Sequence, residues 1–254
     1  MNKELKKLTK GEFPPQLFET PEPPEKLFVR GRMPSPDSVL LTVVGSRKYS
    51  HYGREICEKL IEGLSGYDIV IVSGLALGID TIAHKAALSA GLHTIAVPGS
   101  GLDESVLYPA TNRLLARKIV ESGGALLSEF DSDFRATPWS FPQRNRIMAG
   151  LSHATLVIEA ENRSGTLITA RLALDYNKDV FAVPGSVFSS TSQGTNRLLR
   201  QGATPITSSI ELLDALGFET KDCEPKQKEL DFQNCSTEER EILDTIRDPL
   251  TRDE

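Results

Sequence analysis

VLLTVVGSR (residues 39–47) is an apolar run without alternation that breaks abruptly into glycine, serine and a cation. Such a run suits a strand covered on both faces, as in a parallel sheet. The same layout recurs in YDIVIVSGLALGID (67–80), HTIAVPGSG (93–101), ATLVIEAENRSGT (154–166) and DVFAVPGS (179–186). Helical patterns fall between most of these runs, as expected for right-handed βαβ units. The expected fold class is α/β: a mostly parallel sheet with helices on both faces and the small-residue turns along one carboxyl edge. Ligands of such sheets sit beyond the carboxyl ends of the strands. Glycines there let backbone N–H groups and helix N-termini approach an anion closely, so a phosphate-bearing ligand is expected.

Working outward, HYGREICEKLIEGLS (51–65) places Ile56, Leu60, Ile61 and Leu64 on one helical face. IDTIAHKAALSAG (79–91) ends on Gly91 as a C-cap, and SGTLITARLALDYN (164–177) carries Leu167, Ala170 and Leu174 at helical spacing. Residues 1–38, rich in Pro, Glu and Lys, read as an extended N-terminal segment lying against the domain of residues 39–218. Residues 219–235 have the composition of a linker. Ser236 and Glu239 then fit a capping box ahead of Ile242, Leu243 and Ile246, and Thr251 and Glu254 set up another. The expectation for 236–254 is the opening of a small helical domain that has been cut short.

Composition narrows the function classes. With 254 residues, 39% hydrophobic and 25% charged, the chain can bury one substantial core. It lacks both a run of about eighteen apolar residues and a signal-peptide centre, so a cytoplasmic protein without membrane insertion is expected. Cys57, Cys223 and Cys235 form no CxxC pair, which argues against a disulfide framework or a zinc site. The net charge of −6 looks wrong for a nucleic-acid binder until it is divided. Residues 1–35 carry seven Lys/Arg against five Asp/Glu, residues 36–217 sixteen against eighteen, and residues 218–254 six against twelve. The excess lies in the tail, and a nearly neutral core can still concentrate positive potential in one cleft.

The candidate phosphate contacts follow from the turns. Gly45 permits a tight turn, Ser46 offers a hydroxyl, and Arg47 can fork onto a phosphate. Ser73 and Gly74 open the second loop, Gly99 and Gly101 the third, with Asn112 and Arg113 further along it, and Ser164, Gly165 and Thr166 stand after the fourth run. WSFPQRNRIMAG (139–150) interleaves Trp139 and Phe141 with Arg144, Asn145 and Arg146. Arginines among aromatics can stack bases and grip phosphates. For the aromatics a core role is favoured. The arginines divide evenly between phosphate contact and orienting carboxylates such as Glu129 or Glu159. Asp80 reads as a helix-capping or dipole-orienting group, and His84 as an imidazole hydrogen-bonded within the fold. No trio of nucleophile, acid and base emerges, and no catalytic residue, metal or cofactor is expected.

Taken together, GSR, SGxAxGID, GLD followed by Tyr108, Pro109 and Asn112, FPxRNRIxAGLS, LVIEAxxxSGTLxTA, and VPGS followed by GTNxLLxxGA resemble the DprA/Smf family of DNA-processing proteins over roughly residues 12–217. That resemblance implies an extended Rossmann-like domain that binds single-stranded DNA, protects it, forms a homodimer and loads the recombinase RecA during natural transformation. It assigns Gly45, Ser46 and Arg47 to a phosphate-gripping loop. The 108–113 turn departs from the pattern, since Ala110 follows Tyr108-Pro109 where a lysine often contributes and the nearest cation is Arg113. Family members often add an N-terminal helical domain and a C-terminal winged helix; the first is expected to be missing here and the second truncated.

Two enzyme classes compete. Phosphoribohydrolases acting on nucleoside monophosphates share such sheet edges but carry PGGxGTxxE; the closest stretch here, Arg163 to Thr169, has Thr169 where the catalytic Glu is required. A hydroxyl cannot stabilise an oxocarbenium-like centre as a carboxylate does. A dinucleotide-dependent dehydrogenase is set aside because GSR and GSGLDE both miss G-x-G-x-x-G.

Overall fold

The structure, a computed structural model, describes residues 4–219. Its strands are β1 (Lys6–Leu8), β2 (Leu27–Gly31), β3 (Val39–Val44), β4 (Ile69–Ser73), β5 (Thr94–Ala96), β6 (Ala125–Ser128), β7 (Ala154–Val157), β8 (Asp179–Ala182) and β9 (Thr204–Pro205). The helices are α1 (His51–Glu62), α2 (Ile79–Ser89), α3 (Arg113–Glu121), α4 (Ser140–Leu151), α5 (Thr166–Asp175), α6 (Gln193–Arg200) and α7 (Ser209–Ala215). All nine strands form one sheet in the order β1-β2-β6-β5-β4-β3-β7-β8-β9. From β6 to β9 every pairing is parallel, whereas β1–β2 and β2–β6 are antiparallel. The chain builds from β3 outward through β4, β5 and β6, then returns through α4 to place β7 on the other side of β3. That reversal between β3 and β7 is where ligands of open α/β sheets bind.

Side chains on successive strand residues point to opposite faces, and β3 divides accordingly. Leu41 and Val43 pack with Cys57, Leu60 and Ile61 of α1 and Ile82 and Ala83 of α2. Leu40 and Val44 pack with Ile147, Met148 and Leu151 of α4 and Ala170 and Ala173 of α5. Helices thus cover both faces, as the apolar runs require. Thr42, between them, donates from Oγ1 to the Met148 carbonyl (3.0 Å), which locks α4 to the sheet.

The N-terminal residues do more than lie against the domain. Their apolar residues Leu8, Phe13, Leu17 and Leu27 enter the same core as α4. β2 pairs through backbone hydrogen bonds with β6, extending the sheet beyond the parallel part. The expected linker and the helix start at Ser236 lie outside the described residues, apart from Glu219.

His84 on α2 is fully buried, with Nδ1 2.8 Å from Thr94 Oγ1. Thr94 donates to the Ile71 carbonyl, so its oxygen accepts from the imidazole Nδ1–H. Burial drives the His84 pKa down to about 3, against an ordinary value of 6.5. A folded-state pKa below the unfolded one means that the unfolded chain takes up the proton first. Stability is therefore lost as pH falls below the unfolded value. Between about pH 7 and pH 5 the loss from this one group amounts to about 2 kcal/mol. Urea titrations at the two pH values should show a correspondingly smaller loss for His84→Gln; an equal loss in both proteins would refute this assignment.

Candidate nucleic-acid interface

Beyond the carboxyl ends of β3 and β7 lies a cleft of about 430 Å³ that holds Gly45, Ser46, Arg47, Arg144, Asn145, Ser164, Gly165 and Thr166. Each arrives by a local rule. Gly45 ends β3 against the start of α2, where a Cβ would stand 2.6 Å from the Ile79 side chain. Gly78 caps α2 at φ +83°, directly beneath the turn; a Cβ there would lie 2.3 Å from the Ser46 carbonyl oxygen. Ser46 Oγ donates to the Lys48 carbonyl (2.9 Å) and accepts from the Lys48 N–H (3.0 Å). Its hydroxyl therefore shapes the turn instead of standing free. Arg47 and Lys48 are consequently presented to solvent, with the Arg47 guanidinium 5.5 Å from the Phe141 ring centroid. On the opposite wall Thr166, at the start of α5, donates from Oγ1 to the Gly45 carbonyl (3.0 Å), tying the two loops together. Gly165 has open space where a Cβ would go.

Arg144 lies at the back of this cleft, only 5% exposed. Its Nη1 donates to the carbonyls of Gly74 and Val97, at the ends of β4 and β5. Gly74 has no Cβ because the guanidinium occupies that space. Asp80, also buried, accepts the N–H groups of Gly74 (3.1 Å) and Ala76 (3.3 Å). Burial raises the Asp80 pKa, while Arg144 and the two backbone donors oppose the rise. Burial likewise lowers Arg144 to about 10. The pair braces the cleft floor, so Arg144 is a strut carrying positive charge, not a free phosphate fork. Asn145 accepts from Arg144 Nε (3.1 Å) and serves the same brace.

Several other expected contacts stand elsewhere. Arg146 is two residues from Arg144, about 200° around the helix, and projects from the far side of α4. There it pairs with Glu129 and donates to the Glu22 carbonyl (2.6 Å), as the carboxylate-orienting reading required. Ser73 is buried and donates to the Val43 carbonyl (2.7 Å). Asn112 donates to Leu75 O and Thr81 Oγ1, both at 2.8 Å, holding the second loop. Arg113 turns back to the carbonyls of Ser105 (2.5 Å) and Leu107 (3.4 Å). Gly99 and Gly101 make room for the Phe141 ring and the Asp131 carbonyl. These glycines serve close packing within the protein, and the loop of 99–113 does not line the cleft.

Sequence reasoning passed over two exposed cations lining it, Lys48 and Arg163. The signal was present, since each adjoins a selected residue. With Arg47 and Arg144 they face Asp80 and Glu161, leaving the cleft an excess of positive charge. A shallow depression lined by Arg47, Gly74, Leu77, Tyr108 and Phe141 continues from it, with the Tyr108 and Phe141 rings 5.6 Å apart. Arg47 thus stands between two adjoining hollows. Among the described residues no cluster of three or more His, Cys, Asp or Glu is arranged to hold a metal, and no helix is long and apolar enough to cross a membrane.

A family model described as DNA recombination-mediator protein A matches residues 5–217. Protein Smf of Escherichia coli (strain K12) is 45% identical over 206 residues, covering 81% of this chain and 54% of the relative. DNA processing protein DprA of Streptococcus pneumoniae is 42% identical over 206 residues, covering 81% of this chain and 72% of the relative. The chain spans about half the length of the first of these. The X-ray structure of DNA processing protein A from S. pneumoniae superposes with a TM-score of 0.76 at 39% identity, over 86% of this chain and 76% of that one. The structure of DNA processing protein A from Helicobacter pylori, described for its single-stranded DNA binding mode, gives 0.74 at 31% identity, over 85% and 98%.

Proposed function

This chain belongs to the DNA recombination-mediator protein A family, and from that premise we propose that it binds single-stranded DNA in the cleft between the β3 and β7 loops without cleaving it. The observation that carries this reading is the set of exposed cations, Arg47, Lys48 and Arg163, on small-residue turns over one hollow. Each of these groups can neutralise a phosphate, and beside Arg47 the Tyr108 and Phe141 rings offer a surface on which an unstacked base can stack. Backbone contacts carry no base information, so sequence preference is small. The carboxylate in the cleft floor, Asp80, is engaged by two backbone N–H groups, and Thr169 lines the hollow where a phosphoribohydrolase needs Glu. Both features support clasping over bond cleavage.

RecA loading, homodimerisation, a cytoplasmic location and the division into a 39–218 binding domain, a 219–235 linker and a winged-helix-like region from residue 236 belong to the same proposal and rest on family membership and sequence. Fluorescence anisotropy with labelled oligonucleotides tests the central part. Single strands should bind more tightly than duplex of equal length. The logarithm of affinity should fall with the logarithm of salt at a slope of roughly −2, about −0.7 for each of three neutralised phosphates. Affinity indifferent to salt would end the proposal.

A further inference from the structure

On the far side of α4 from the cleft is a second hollow, of about 470 Å³, walled by Phe130, Phe134 and Trp139 and edged by Glu22, Glu25 and Glu129. Helix period separates the two cavities: Phe141, Arg144, Asn145 and Met148 face the first, Trp139, Gln143 and Arg146 the second. The second hollow has the opposite electrostatic character. Asp131 is neutralised by Lys26 (2.6 Å) and Glu129 by Arg146. Glu22 and Glu25 are exposed and form no ion pair among the described residues, leaving the rim negative.

Two further features point to a cationic occupant. Glu129 is 8% exposed, and while Oε2 engages Arg146, Oε1 makes no hydrogen bond of ordinary geometry, the Gln143 amide standing nearby. Burial raises its pKa, against the pull of Arg146, the Gln143 amide and Lys26. A buried carboxylate oxygen left unpaired is costly unless a donor reaches it. Secondly, Trp139 is 56% exposed at the mouth, in T-shaped contact with Phe130 and Phe134 at 5.9 and 5.5 Å. An exposed indole beside unpaired carboxylates is the surface a guanidinium or ammonium group prefers.

We infer that this hollow is a docking site for an arginine- or lysine-bearing segment of a protein partner. DNA is repelled by the acidic rim. The chain's own residues 218–254 fit no better, since they carry twelve acidic against six basic side chains. A basic polypeptide complements the charge, places its alkyl stems along the rings and brings donors toward Glu129.

Trp139 is the only tryptophan, so its emission reports this hollow alone. Titration with hexa-arginine should change that emission saturably, and hexa-glutamate should leave it unchanged. In the double variant Glu22→Gln, Glu25→Gln the apparent affinity for hexa-arginine should weaken roughly three- to tenfold. Both positions are exposed, and neither lies in the DNA cleft. Single-strand affinity, measured without peptide, should therefore stay at the parent value, which separates this inference from the DNA reading. An emission unaffected by hexa-arginine, or an equal response in the double variant, would overturn it.

Discussion

Arg47→Ala is expected to weaken single-strand binding by about ten- to a hundredfold, the loss of a charge-assisted contact worth roughly 1.5–3 kcal/mol. Arg47 stands between the main cleft and the adjoining depression, so its removal interrupts a strand passing from one to the other. The guanidinium is exposed, and its ring partner Phe141 stays held by the Gly99 loop and by Tyr108. Folding should therefore be little affected, and thermal unfolding of the variant serves as the control. The salt slope should become shallower by about 0.7. Lys48→Ala should act in the same direction with smaller effect, since an ammonium is a point charge without a bidentate fork, and so should Arg163→Ala, since Arg163 lines the main cleft alone while Arg47 lines both hollows. An Arg47→Ala protein with parent affinity and parent slope would remove the cleft from consideration.

Gly78→Ala is expected to damage fold and binding together. The residue sits at φ +83° and ψ −132°, a region that side-chain-bearing residues avoid. An added Cβ would also stand 2.3 Å from the Ser46 carbonyl oxygen and 2.6 Å from the Arg47 Cα. Relief demands that the turn bearing Arg47 and Lys48 lift off α2, breaking the Ile79 N–H bond to the Ser46 carbonyl. The cost is about 2–4 kcal/mol, or a fall of roughly 5–15 °C in Tm for a domain of this size. Single-strand affinity should fall in the fraction that remains folded. Unchanged Tm and affinity would mean that the turn is not braced by this glycine.

The parallel half of the sheet was readable because each strand is an unbroken apolar run ending in glycine or serine, and the five quoted runs became β3, β4, β5, β7 and β8. β6 was passed over: its apolar run is Ala125-Leu126-Leu127 alone, enclosed between a Gly-Gly pair and Ser128, shorter than the runs that carry β7 and β8 past their strand ends. β1 and β2 were hidden for another reason, since antiparallel pairing of β2 with β6 joins segments about a hundred residues apart and leaves no local signature. At the cleft, loops 45–47 and 164–166 were legible. The error at Arg144-Asn145-Arg146 arose from grouping by adjacency where helical phase separates the outer two. Which glycines admit a ligand and which admit a neighbouring side chain depends on what packs above them. Gly74 makes room for a guanidinium and Gly99 for a phenyl ring, and neither fact is written near those positions.

The two outermost strands of the sheet have a consequence for the molecule in a crowded cell. β1 places Lys6 and Lys7 outward in three residues, and β9 is two residues ending in Pro205, which has no amide hydrogen to offer. Unpaired strand margins recruit further chains, and short, lysine-bearing or proline-ended margins discourage it. Among the described residues the nine-stranded array is therefore terminated at both limits, which guards its unsatisfied amides against fibrillar stacking of one molecule on the next.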